Sequence, residues 1–262
     1  MIGPAFAEDI MIEKNVSEIK EEFMKADEER LKLLIGAYEK DRRTGVKNLV
    51  ISAVKKLHKL NAERQRLYEI SAYEREYSQY ELICGIDEVG RGPLAGPVCA
   101  CAVILPKDVF IYGINDSKKI SEKRRESLYN EIIEKAVCYG IGMVSHKEID
   151  EINILNATYK AMREAINQLE KKPDILLNDA VTIPDVDIKQ VPIIKGDSKS
   201  ISISAASIIA KVTRDRLMVE YDKLMPEYGF IRNKGYGTKE HIDAIKKYGP
   251  SPIHRKTFIK GI

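Results

Sequence analysis

The spacing of apolar positions changes once along this chain. Over residues 1–79 there is almost no Gly or Pro after Pro4, and apolar residues recur at helical spacing. Val46, Leu49, Val50, Val54, Leu57, Leu60, Leu67 and Ile70 fall on one helical face. Ser17, followed by Lys20, Glu21 and Glu22, predicts a helix start with acidic residues near its first turn. Thr44-Gly45 breaks the run, so the pattern predicts an extension of two or three helices. From Tyr80 onward, short apolar runs bounded by Gly and Pro predict strands at 82–86, 98–105, 137–144, 173–180 and 191–194. Helices are predicted at 121–135, 154–169, 203–225 and 239–248, the last stopped by Gly249-Pro250. Three consecutive strands, then strands alternating with helices, indicate an α/β domain with a mixed sheet over 80–262, preceded by a helical extension over 1–79.

The strand ends carry the chemistry. The first strand delivers Asp87 and Glu88 to its tip, where a loop with three glycines follows at once. Asp179 closes the fourth apolar run and Asp197 follows the fifth. In an open α/β sheet, ligands collect beyond such ends. Adjacent carboxylates raise each other's pKa, and burial raises it further. A divalent cation removes that penalty, and an all-oxygen donor set suits Mg²⁺ or Mn²⁺. Four converging acids would make a two-ion site for hydrolysis of a phosphodiester. Asp174, Asp185 and Asp187 compete for the third position, and Asp179 is preferred because it closes an apolar strand. Taken singly, each acid also fits a capping or surface role. Arg91 between two glycines is a candidate phosphate fork.

Composition adds less. The net charge is +3, from 43 basic and 40 acidic residues, which does not by itself announce a nucleic-acid binder. Basic residues exceed acidic ones from Lys195 onward, and acidic exceed basic over the first thirty residues. A second basic face is formed by Lys47, Lys55, Lys56, Lys59, Arg64 and Arg66, either solvated or set against nucleic acid. The four cysteines form no C-x-x-C pair and sit in apolar runs, which fits buried thiols in a reducing, cytoplasmic setting. No apolar stretch approaches the ~18 residues of a membrane span. The apolar start at 2–7 lacks the basic flank of a signal peptide.

The string Gly85-Ile86-Asp87-Glu88-Val89-Gly90-Arg91-Gly92-Pro93-Leu94-Ala95-Gly96-Pro97-Val98 resembles the first signature of bacterial ribonuclease HII. Further strings match in order: Asn115-Asp116-Ser117-Lys118-Lys119, the run 152–158, Lys195-Gly196-Asp197-Ser198, the run 204–216, Lys234-Gly235-Tyr236-Gly237-Thr238, and Pro252-Ile253-His254-Arg255. The resemblance covers about residues 80–262. It implies an RNase H-like five-stranded mixed sheet flanked by helices. The implied enzyme is a metal-dependent endonuclease that cleaves the RNA strand of RNA–DNA hybrids. It also incises 5′ of ribonucleotides embedded in duplex DNA, leaving 5′-phosphate and 3′-hydroxyl ends.

By the same resemblance Asp87, Glu88, Asp179 and Asp197 are the catalytic, metal-binding acids. Gly90, Arg91 and Gly92 read the 2′-hydroxyl, Lys118 contacts phosphate, and Tyr236 lies against the deoxyribose 3′ of the junction. Work in replication and ribonucleotide excision repair is expected of such an enzyme, with any protein partner left open. Nothing in the sequence suggests an obligate oligomer, so a monomer is expected. The helical extension is similar to that of some Gram-positive members. The related ribonuclease HIII carries a β-containing N-terminal domain and lacks Gly-Arg-Gly. Asn178 departs from the aliphatic residue usual before the third acid, and a buried amide there requires partners.

Two other functions share parts of this pattern: a DNA-directed two-metal nuclease, and a non-catalytic hybrid-binding protein. The Gly-Arg-Gly loop with Tyr236 argues against the first, because a DNA-only enzyme has no 2′-hydroxyl to read. Acids at all four positions argue against the second.

Overall fold

The computed structural model describes residues 14–262; the apolar start at 2–7 lies outside them. The chain forms two compact units, Met1–Arg66 and Leu67–Ile262.

Among the described residues of the first unit, helices α1 (Val16–Lys25) and α2 (Glu28–Tyr38) are followed by α3 (Thr44–Ile70), which runs on into the second unit. Asn15, not Ser17, is the cap of α1. Its side chain accepts from Ser17 N and Glu18 N, while Glu18 returns a bond to the Asn15 backbone, a reciprocal box. Thr44-Gly45 opens α3 rather than simply ending a helix. Ile19, Phe23, Leu31, Leu34, Tyr38 and Val46 bury the apolar faces together. Two members of the expected basic face are engaged within the protein. Arg64 pairs with Glu28 at 2.5 Å and Arg66 with Glu63 at 2.7 Å. Lys47, Lys55, Lys56 and Lys59 are exposed.

In the second unit the short helix α4 (Ala72–Glu76) leads to β1 (Ile83–Val89) and β2 (Val98–Ile104). There follow α5 (Glu122–Lys135), β3 (Cys138–Val144), α6 (His146–Asn167), β4 (Ile175–Asp179) and β5 (Lys189–Ile193). A 3₁₀ turn at Gly196–Ser198 precedes α7 (Ile201–Leu224), α8 (Phe230–Asn233) and α9 (Lys239–Tyr248). The sheet order is β3-β2-β1-β4-β5. β1 pairs antiparallel with β2, and β2 with β3, while β1/β4 and β4/β5 are parallel. This is the mixed five-stranded sheet expected. The helix expected to begin at 154 has a second segment before it: α6 contains a kink at Asn153, φ 66° and ψ 165°. The Asn153 carboxamide accepts from Leu155 N and Asn156 N and so caps the second segment.

Glycines let helices lie directly on both faces of the sheet. A Cβ on Gly85 would stand 2.1 Å from the carbonyl carbon of Ser202 in α7. One on Gly142 would stand 1.9 Å from the carbonyl oxygen of Ala161 in α6. The Ser/Ala-rich start of α7 is therefore pressed against β1, two residues from Asp87. All four cysteines are free and buried. Among the described residues no helix is long and apolar enough to cross a membrane.

Candidate active site

Register brings the first acids together. Ile86 pairs with Asn178 as the last rung of the parallel β1/β4 ladder, so Asp87 and Asp179 follow on adjoining strands where that ladder stops. Asp179 ends β4, whereas β1 runs past the expected 82–86 to Val89, paired with β2, and carries Asp87 and Glu88 within it. Asp179 Oδ1 accepts the backbone N–H of Gly196 at 2.7 Å, which draws the turn carrying Asp197 to the same end. Ser204, in the first turn of α7, donates its hydroxyl to the Asp197 carbonyl at 2.7 Å. Asp87 and Asp197 are buried, while Glu88 is partly buried.

The charges act on one another. Burial, then Glu88, then Asp179 push the Asp87 carboxyl well above the usual carboxylate range. Burial raises Glu88, opposed by Arg91, and Asp179 adds to the rise. Burial raises Asp197, with Asp116 and Asp179 adding to it. Desolvation pulls Lys118 down, but Asp87, Asp197, Asp116 and Asp179 outweigh it and leave the ammonium above its ordinary value. Lys118 thus faces the acids that the sequence singled out. Arg91 Nη1 stands 3.6 Å from Glu88 Oε1.

The competing acids lie elsewhere. Asp174 accepts from Glu81 N and Leu82 N before the start of β4. Asp185 is exposed, 3.9 Å from Arg163. Asp187, too, is in the loop before β5. The amide of Asn178 finds its partner in Gln190. Nδ2 donates to Gln190 Oε1 at 2.8 Å, and Gln190 also bonds the backbone of Ile183. The Asn178 Oδ1 atom is buried without a partner.

Beside the acids stands a second group. Gly90 has φ +93°, and a Cβ there would meet Arg214 Nε at 2.3 Å. Arg255 donates to the carbonyls of Gly90, Arg91 and Gly96. Arg214 donates to those of Ala95, Pro97 and Lys234. Leu94 N bonds the Gly235 carbonyl at 2.8 Å. These bonds join the Gly90–Gly92 loop to the 234–238 loop. Tyr236 then lies beside Gly92, its Cε1 3.9 Å from where a Cβ would sit. The ring is part-exposed, with Lys211 Nζ and Arg214 Cζ each 5.9 Å from its centroid.

Asp116, Arg214 and Arg255 were not singled out from sequence, although each falls in a matched string. Two fully buried arginines in one chain were the available signal, and burial is not visible without the fold. Among the described residues no three His, Cys, Asp or Glu side chains already close on a common point as a metal cage. The donor set is nonetheless all carboxylate, as a hard divalent cation requires.

A sequence model of the family described as Ribonuclease HII matches residues 84–261, and one for the Ribonuclease HII N-terminal domain matches 15–78. The chain belongs to the ribonuclease HII family. Ribonuclease HII from Lachnoclostridium phytofermentans is 65% identical over 225 residues, covering 86% of this chain and 89% of that one. The Clostridioides difficile protein is 56% identical over 254 residues, covering 96% of this chain and all of its own. A crystal structure of ribonuclease H2 from Pyrococcus horikoshii superposes with TM-score 0.55 at 30% identity, over 67% of this chain and 93% of that one. The ribonuclease HII of Archaeoglobus fulgidus, solved as a complex with PCNA, gives 0.58 at 26% identity, over 69% and 95%. As a ribonuclease HII the protein is a nuclease of the ribonuclease H class, whose members degrade RNA in RNA–DNA hybrids.

Proposed function

We propose that this ribonuclease HII incises on the 5′ side of ribonucleotides in duplex DNA, as well as in continuous hybrids, by two-metal hydrolysis. The observation that carries the reading is that Asp87 and Asp179 follow on adjoining strands where the parallel β1/β4 ladder stops, beside the loop where Gly92 meets Tyr236. Asp87, Glu88, Asp179 and Asp197 would hold Mg²⁺ or Mn²⁺. When bound, the ions would activate the attacking water and stabilise the leaving 3′-oxygen.

The chain's own groups do the rest. Burial first, and like charge after it, raise the carboxyls of Asp87 and Asp197, a penalty that a bound cation would relieve. Lys118 offers a point charge to the phosphate, and Arg91 a planar fork. Backbone groups of Gly90 and Gly92 face the 2′-hydroxyl, where close approach requires that no Cβ intervene. Tyr236 packs on the next sugar. A protein partner in replication or repair is supported by the archaeal relative's complex with PCNA. The all-free cysteines support a reducing, cytoplasmic setting, and a monomer is the proposed working form.

The test is a duplex with one ribonucleotide, incubated with Mg²⁺, Mn²⁺ or EDTA, and the cut mapped. One metal-dependent cut 5′ of the ribonucleotide, leaving 3′-hydroxyl and 5′-phosphate, is expected. Cutting of all-DNA duplex would favour a DNA-directed nuclease, and binding without cutting a hybrid-binding protein.

A further inference from the structure

Below Tyr236 a line of buried polar contacts runs through two histidines that the carboxylate cluster does not use. Ser251 donates its backbone N–H to His254 Nδ1 at 2.8 Å, and its hydroxyl lies 2.6 Å from the same nitrogen. With Nδ1 an acceptor, the neutral ring carries its proton on Nε2. His254 Nε2 lies 3.0 Å from His241 Nε2, which must therefore accept. His241 then carries its proton on Nδ1 and donates it to the Tyr236 carbonyl at 2.8 Å. A backbone donor at one end and a backbone acceptor at the other set both tautomers. Both rings are buried, packed with Tyr228 and Phe230. Burial holds both below the ordinary histidine value. The neighbouring Arg255 meanwhile bonds the Gly90 and Arg91 carbonyls. One short segment therefore reaches both loops.

We infer that His254 and His241 form a neutral imidazole relay that fixes where the Tyr236 backbone stands beside Gly92, making them positioning residues for junction choice. This rests on the reading of Tyr236 as the group that follows the ribonucleotide. The relay acts through the last bond, His241 Nδ1 to the Tyr236 carbonyl, so the two amide substitutions of His241 separate positioning from plain packing. In His241→Asn the amide nitrogen falls where Nδ1 was and keeps the bond to Tyr236. In His241→Gln the amide extends toward His254 and abandons Tyr236.

The experiment compares kcat/KM on a single-ribonucleotide duplex with that on a continuous hybrid, for wild type, His241→Asn, His241→Gln and Tyr236→Ala. A lost neutral hydrogen bond corresponds to roughly a fivefold change. His241→Gln should lower the ratio by about that factor, toward that of Tyr236→Ala, and His241→Asn should recover most of it. Equal ratios in both His241 variants overturn the inference, as does an equal loss on both substrates with a matching fall in Tm. A separate reading comes from imidazole ¹⁵N shifts of the wild-type protein at neutral pH. Neutral rings with Nε2–H on His254 and Nδ1–H on His241 are expected. Any other tautomer pair, or a charged ring, overturns the relay. If Tyr236→Ala leaves the ratio unchanged, it is the reading of Tyr236 that fails, and the ¹⁵N result then decides the relay alone.

Discussion

Asp179 holds Gly196: its Oδ1 accepts the Gly196 backbone N–H at 2.7 Å, so the acid that ends β4 also holds the turn carrying Asp197. The bond uses one carboxylate oxygen and leaves the other for a cation. Asp179→Asn keeps an acceptor for Gly196 but removes the charge. It should therefore abolish cleavage while the metal-free protein melts at the same temperature or higher, and Asp87→Asn should behave alike. Cleavage and thermal melting on the same preparations check this. Near-normal turnover by a well-folded Asp179→Asn protein would falsify its role as a ligand and point to Asp116, which acts on Asp197 from the 115–119 loop.

The N-terminal cut matters. Residues 67–79 lie with the second unit: Leu67 is buried beside Leu105 and Ile209, and Tyr73, Tyr77 and Tyr80 pack on Ile83 and Ile203. Glu74 Oε1 accepts from Ser200 Oγ at 2.5 Å and Ser202 N at 3.0 Å, capping α7 from outside. Losing one buried leucine and one cap amounts to about 3 kcal/mol or more. Deleting residues 1–66 should leave a stable, folded nuclease unit, and deleting 1–79 a markedly less stable one, by chemical denaturation. Deletion of 1–66 should also weaken substrate binding and flatten its salt dependence, by about one unit of slope per lost phosphate contact of the exposed lysines. Unchanged affinity and slope would leave that face a solvated surface.

Gly90→Ala should damage the site more than the fold. The φ of +93° is strained for any L side chain, and the added Cβ would displace Arg214 Nε, which bonds Pro97. Such overpacking costs about 1–3 kcal/mol. The variant should remain folded at room temperature, with kcat/KM on a single-ribonucleotide duplex reduced at least tenfold, read by steady-state cleavage beside a melting curve.

Tyr236→Ala should lose about tenfold or more on the single-ribonucleotide duplex and less on a continuous hybrid, an aromatic platform being worth roughly 1–3 kcal/mol. Both substrates must be compared at one salt concentration. An equal loss on the two would make Tyr236 a general support of the site.

Acid should weaken the fold through His254. Burial first, and then the neighbouring His241, lower its pKa to about 4, against about 6.5 for an unfolded histidine. Between those values the unfolded chain binds a proton that the folded ring refuses. Its contribution is intact above about pH 6.5 and is lost as pH falls toward 4, at up to about 1.4 kcal/mol per pH unit. The raised carboxyls of Asp87 and Asp197 act in the opposite direction, so the measurement is a difference. Unfolding free energies of wild type and His254→Asn should converge as pH drops from 7 to 4. Parallel curves would show that His254 does not titrate with folding.

The elements and their order were readable because periodicity is local: apolar runs of about 4–8 residues bounded by Gly and Pro are strands wherever they end up. Asp179 was readable as a strand-end residue for the same reason, whereas Asp87 and Glu88 lie inside β1, which pairs on with β2 to Val89, and Asp197 lies in the turn after β5. The small residues at the start of α7 make it able to lie close on a sheet, but which strand receives it was set only by the fold, at Gly85 of β1. The proximity of Asp87 to Asp179 depends on the parallel register of β1 and β4, which pairs Ile86 with Asn178, residues about ninety apart. The approach of Tyr236 to Gly92 depends on Arg214 and Arg255, whose burial against six backbone carbonyls has no signature in a single chain. The tautomers of His241 and His254 follow from three hydrogen bonds among distant segments. Local pattern fixes which side chains a short segment presents and in what order; which of them meet is settled only when packing of the whole sheet selects one register.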